Sequence, residues 1–246
     1  MSISRFYKDL SSVKTDKITF ADLKNKLALM AVYVGEKDVF LYETNSIKLL
    51  KKLSKISRRH NLQTAITNFP LRPYVREPKV PKFFVTDFLE YSLKYRIGYS
   101  ALWVYKNNSI REKIGHCLAN EKKLGILLGY PTCCVEEYVE RKVRVIEVFY
   151  NALVRKYRPK SREEIKQLLD RDAEVPMELP DNVDKTWRQF PFVFHTACKA
   201  CLSMESSASS ILNLWSERLA LSVSKHFHDE ILDVVSVLYT QATQGT

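Results

Sequence analysis

The chain has 246 residues, 46% hydrophobic and 27% charged, a balance that excludes general disorder and leaves enough apolar side chain for a real core. Its 39 Lys and Arg against 28 Asp and Glu give a formal net charge of +11, which points toward a polyanionic partner. No run of ~18 apolar residues occurs, and Met1–Phe6 lacks an apolar leader core, so no membrane contact is expected and the cytoplasm is the expected compartment.

Lys26–Val34 is apolar and ends in β-formers, Gly35–Asp38 suits a turn, and Val39–Glu43 runs back, so a hairpin is expected over 26–43. Asn45 or Ser46 then caps a helix with Ile47, Leu50, Leu53 and Ile56 as its apolar stripe. Its other face carries Lys48, Lys51, Lys52, Lys55, Arg58 and Arg59 with no acid among them. Such a face can lie along a phosphate backbone, which makes it the candidate nucleic-acid surface, although a merely solvated face uses the same residues. Thr64, Ile66 and Thr67 favour a strand over 62–68. Pro70, Pro73, Pro78 and Pro81 then forbid regular structure, so 69–82 reads as an extended connector, with Arg72, Tyr74 and Arg76 giving it a basic-aromatic character.

Phe83–Val85 suits a short strand, Asp87 and Glu90 a helix start, and Gly98 its end. Ala101–Tyr105 is a strand. Ser109-Ile110-Arg111-Glu112 is a capping box opening a helix that breaks near Gly115 and stops at Gly129. A long helix follows from Cys133 to Tyr157, acidic early and basic late as the helix dipole prefers. Ser161-Arg162-Glu163-Glu164 opens a short helix to Arg171. Asp172–Lys185 reads as an acidic loop, Phe190–Phe194 as strand-like or buried, and 205–240 as a helical region with Ile211, Leu214, Trp215, Leu219, Ile231, Val234, Val235 and Leu238 on its apolar face. The expected fold class is α+β: a small mixed N-terminal part (1–68), the proline-rich connector (69–82) and a larger, mainly helical C-terminal part (83–246).

Four of the five cysteines lie in two tight groups. In Gly129-Tyr130-Pro131-Thr132-Cys133-Cys134 the turn places both thiols in the first turn of a helix, where free N–H groups favour a thiolate and lower its pKa. In His195-Thr196-Ala197-Cys198-Lys199-Ala200-Cys201 two thiols three apart can converge on one ion, and His195 precedes them by the same interval. The candidate metal ligands are therefore Cys133, Cys134, His195, Cys198 and Cys201, and the implied cofactor is zinc or an iron-sulfur cluster. The two groups are expected to share one site, because an isolated Cys-x-x-Cys supplies only half of the four ligands that such centres need. Two rival readings stay open. One is a thiol-dependent enzyme with a helix-capping cysteine and His195 as its base; the other is a basic nucleic-acid-binding module whose cysteines are structural. Cys117 reads as a buried apolar residue, His226 and His228 as surface residues, and His60 as part of the basic helix end. No Walker A loop, Gly-x-Gly-x-x-Gly, Gly-x-Ser-x-Gly, His-Glu-x-x-His or His-x-Glu…Pro-Cys-x-x-Cys pattern is present.

The run Gly125-Ile126-Leu127-Leu128-Gly129-Tyr130-Pro131-Thr132-Cys133-Cys134-Val135 resembles the signature of a mainly archaeal protein family of unknown function, Gly-x-Leu-Leu-Gly-Tyr-Pro-x-Cys-Cys-Val followed by Pro-Phe-His-x-x-Cys. Pro191-Phe192-Val193-Phe194-His195-Thr196-Ala197-Cys198 is similar to the second segment, with two residues inserted before the histidine. The likeness spans roughly residues 100–210 and implies that the two groups form one site; it implies no reaction.

Overall fold

Ser2 caps the first helix, α1 (Ile3–Ser11), by accepting a hydrogen bond from the Arg5 amide, and Asp22 caps α2 (Leu23–Val34) through the Asn25 amide. The computed structural model describes residues 2–13, 22–68, 76–94, 99–118, 120–172, 174 and 182–244. The hairpin expected over 26–43 is corrected here: 26–34 is helical, and only Val39–Thr44 is a strand, β1. Every residue from Lys26 to Val32 is buried, so this helix shows no polar face, and periodicity cannot separate such a run from a core strand. Leucine, alanine and methionine, all good helix formers, decide the matter, and Gly35 ends the helix at φ 91°.

Ser46 caps α3 (Ile47–Arg59), which turns Leu49, Leu50, Leu53 and Ile56 inward while Ile47, expected in that stripe, stands 41% exposed. After β2 (Gln63–Asn68) the expected connector falls partly on residues 69–75, outside the described residues, as does the helix end expected at Gly98. The strand expected at 83–85 and the helix start at Asp87 are both corrected: α4 runs from Lys82 to Lys94, directly after Pro81, a residue suited to a helix start. Strand β3 (Ser100–Tyr105) lies between β1 and β2 and pairs antiparallel with both, so Tyr105 faces Val39 on one side and Gln63 on the other. The sheet thus combines chain from before and after the proline-rich segment.

Both faces of β3 are covered. Leu102 and Val104 join Phe40 and the α1–α3 side chains, while Ala101, Trp103 and Tyr105 join Val39 against α5 (Asn108–Cys117) and α6 (Glu121–Leu127). The helix ends at Cys117, not at Gly115, and Asn120 caps α6 by accepting from the Lys123 amide. The box at Ser109 is likewise displaced, since α5 already begins at Asn108. Gly129, at φ 75°, turns the chain into α7 (Thr132–Tyr157), which packs with α4 and α8 (Arg162–Asp170) around Phe84, Ile146, Leu153 and Leu168.

The loop expected to Lys185 gives way to α9 (Asn182–Gln189), and Phe190–Phe194 is a buried turn rather than a strand. Helices α10 (Lys199–Ser203), α11 (Ala208–Val223) and α12 (Lys225–Gln244) follow. Ile211 and Leu214, expected on the apolar face, are 63% and 55% exposed, whereas Leu219, Ala220 and Val223 enter the N-terminal core. His228, expected at the surface, stacks on Phe192 at 5.1 Å and bonds Glu217 and Asp229. The whole is α+β, with a small antiparallel sheet near the N-terminus and a helical C-terminal part. No helix among the described residues is long and apolar enough to cross a membrane.

Two expectations follow from this packing. A Cβ on Gly125 would lie 2.8 Å from Val135 Cγ2, so Gly125→Ala should force α6 from α7 and cost about 1–3 kcal/mol. Gly115 has nothing within 4 Å, so Gly115→Ala should be neutral or stabilising by up to ~1 kcal/mol when both variants are unfolded in urea; equal losses at both sites would contradict the close approach. The Arg162 guanidinium, bonded to both oxygens of buried Asp87 at 2.8 and 3.0 Å, holds that carboxyl below its ordinary range. A lowered carboxyl contributes stability that is present above its unfolded pKa and lost as pH falls through the folded value. Asp87→Asn should therefore be less stable than the native chain at neutral pH, and the gap should close below about pH 4; a gap independent of pH would show that charge plays no part.

Candidate metal centre

The turn at Gly129–Pro131 delivers α7 with its first residues free of side-chain capping, and Cys133 and Cys134 occupy that first turn as the spacing implies. The second group arrives from the other side. Cys198 is the cap of α10, where its sulfur accepts from the Cys201 amide at 3.4 Å, and Cys201 lies inside that helix. Thr186 steadies the approach by accepting from the Ala197 amide at 2.9 Å, and Glu137 of α7 accepts from the Lys199 amide at 2.9 Å.

The ligand atoms of Cys133, Cys134, Cys198 and Cys201 all lie within 4.8 Å of one another. Cys201 Sγ is 3.6 Å from Cys133 Sγ and 3.7 Å from Cys134 Sγ, and the Cys198 amide donates to Cys134 Sγ at 3.4 Å. No cysteine is in a disulfide. Cys133 opens to the surface while the other three are buried, and Cys117 is buried elsewhere, in the core beneath the sheet. The four grouped thiols are placed to hold a metal ion.

His195, expected among the ligands, is not in this group of four. Its Nε2 bonds Ser209 Oγ at 3.0 Å, and that hydroxyl lies 3.4 Å from Cys134 Sγ, so the imidazole meets the thiols through Ser209. His195 Nδ1 is buried with no partner among the described residues. Ser209 has no local sequence signal: it sits in the first turn of α11, 75 positions from Cys134. Lys37 was equally silent. Its ammonium lies 4.8 Å from the Tyr130 ring centre and 4.6 Å from that of Phe194, and burial pushes it down to about 7. Burial, with Lys37 and Lys24 adding repulsion, pushes His195 down to about 4, so the ring is neutral at neutral pH.

The low-pKa thiol expected at the start of α7 is not found there. Burial and the neighbouring thiols push Cys133 up to about 11, and burial likewise raises Cys134. Crowding and desolvation outweigh the helix dipole. Cys201 is the exception: burial opposes ionisation, yet hydrogen bonds from Ser209 and from the Cys133 and Cys134 thiols bring it down to about 7. A cavity of about 450 Å³ between β1, α6 and α7 has Cys134 and His195 on its wall, beside Tyr42, Glu43, Glu121 and Tyr138.

The six basic residues singled out on α3 are all exposed and lie on a different element from the thiols. Comparison with known proteins yields no relative: no family matches the chain, and no curated protein or solved structure does.

Ser209 bridges imidazole and thiol in the interior, so Ser209→Ala should remove the hydrogen-bond partner of His195 Nε2. A cost of about 1–3 kcal/mol is expected in urea denaturation of the reduced, metal-free protein. An unchanged midpoint would mean that the bridge contributes nothing.

Proposed function

We propose that this chain is a metalloprotein in which Cys133, Cys134, Cys198 and Cys201 hold a single tetrahedral zinc ion that joins the start of α7 to the α10–α11 segment. The observation that carries this reading is the confinement of four sulfurs within 4.8 Å. Bonds of ~2.3 Å in a tetrahedron set sulfurs ~3.8 Å apart, and the observed 3.6 and 3.7 Å separations match that edge. A four-iron cluster fits less well, because its own irons and sulfides stand between the thiolates and spread them beyond the reach of one ion. Four protein ligands close the coordination sphere, which is the pattern of a structural site rather than a catalytic one. Ser209 and His195 then act as the outer partners that orient Cys134.

The thiol-enzyme reading has less support, since a base must reach the sulfur it activates and His195 Nε2 is directed at Ser209. The likeness to the Gly-Tyr-Pro-x-Cys-Cys family favours a shared site as well, through the same two segments.

Metal analysis tests the proposal. The purified protein should hold one zinc per chain and no acid-labile sulfide, and cobalt replacement should give the intense visible bands of a tetrahedral thiolate complex. Cys198→Ser and Cys201→Ser should each lower retained zinc sharply, and chelation should lower the melting temperature until zinc is restored. Iron with stoichiometric sulfide would replace zinc by a cluster. Absence of any retained metal, with an unchanged melting temperature on adding zinc, would remove the metal centre altogether.

A further inference from the structure

Lys51, Ser54, Lys55, Arg58, Arg59 and Ile66 line a groove of about 540 Å³ where α3 runs beside β2. Four of these six are cations, and none is an acid. Along α3, Lys51, Lys55 and the Arg58–Arg59 pair succeed one another at about one helical turn, ~5.4 Å of rise, so their charges form a stripe rather than a scatter. The stripe has a fixed base. Leu49, Leu50, Leu53 and Ile56 anchor the opposite side of the helix in the core, and Arg58 Nε donates to Thr64 Oγ1 at 2.7 Å, tying the helix to β2. Ser54 Oγ meets the same Thr64 oxygen at 2.7 Å. Asp9 is the carboxylate that feels Arg59, and its oxygen is engaged by His60 Nε2 at 2.8 Å.

A second stretch of the sequence, Arg141–Lys166, with nine Lys and Arg against three Glu, is the other candidate for phosphate contact, and it differs in this respect. There Lys142 is paired with Glu121 at 2.8 Å and Arg162 with Asp87, and Glu147 faces Arg76. Two of its nine cations are thus held by acids of the fold, and the groove at Val148, Asn151, Ala152, Arg155 and Lys156 has two cations, whereas the α3 groove gathers four with no acid among its described lining residues.

A membrane surface is a poor match, because an interfacial helix needs an exposed apolar face and that of α3 is spent on the core. A polymer of phosphates is a good one. The other wall of the groove is β2, an edge strand of the sheet, where Ile66 is 38% exposed and Asn68, two residues on along the same face, is also exposed. Polar side chains and one apolar surface beside a cationic stripe suit unpaired bases alongside their backbone. We propose that the groove between α3 and β2 binds the phosphodiester backbone of a single-stranded nucleic acid. This site is separate from the metal centre and stands whether or not zinc is bound.

The test is polarisation of a short fluorescein-labelled single-stranded RNA of mixed sequence, titrated with the full chain. Binding should weaken between about 50 and 200 mM salt, with a log–log slope near −3 for four contacts at about −0.7 each. Lys51→Gln/Lys55→Gln/Arg59→Gln, which spares the Arg58 tie to β2, should weaken binding at least ~tenfold and flatten the slope by about 2. Arg111→Gln/Lys113→Gln/Lys123→Gln, the same charge change on exposed positions of α5 and α6, should leave affinity within about twofold. Circular dichroism of both variants should match the native chain. No binding at low salt, equal losses in the two variants, tighter binding to the matching duplex, or preference for vesicles of anionic lipid would each overturn the proposal.

Discussion

Four sulfurs confined within 4.8 Å impose the strictest physical constraint in this molecule. Neighbouring thiols in a low-dielectric interior resist ionising together, as the raised values at Cys133 and Cys134 show. Holding such a group costs conformational freedom on two segments 64 to 68 residues apart. Backbone amides and Ser209 already point at the sulfurs, an arrangement that favours thiolates once a cation stands among them.

The surrounding fold is organised to hold those two segments in register. Gly125 lets α6 lie against Val135, which sets the start of α7, and Gly129 with Pro131 turns the chain between the helices. On the other side, Phe190, Val193 and Ala197 pack beneath Cys134, Cys198 and Cys201 in one small apolar cluster. Phe192 and Leu219 meanwhile enter the core built on α1–α3. The C-terminal segment thus fastens the N-terminal layer and the thiol group at once.

Charge is sorted by depth. Lys37 is buried against Tyr130 and Phe194, and half-buried Lys24 lies over Trp187, where ring faces replace water as neighbours. The α3 cations stay outside, on a helix whose Leu49, Leu50, Leu53 and Ile56 are committed to the core. Six exposed cations therefore share the one helix α3.

Local rules carried much of this into the sequence. Ser46 and Ser161 mark helix starts because a short side chain there satisfies an amide three residues on, and Gly129 marks a stop because its φ of 75° suits glycine. Cys133 and Cys134 could be placed in a helical first turn for the same reason, and the two thiol groups could be linked by counting ligands. What the sequence could not state was anything decided by burial on all sides or by distant chain. Residues 26–34 read as a strand until their neighbours enclose them, and Phe83–Val85 reads as a strand until Pro81 and the aromatic rings of α7 place it in a helix. The thiol pKa order, Ser209 as the bridge and His195 outside the ligand group all depend on contacts between residues far apart in sequence, where spacing carries no information and only packing brings the atoms together.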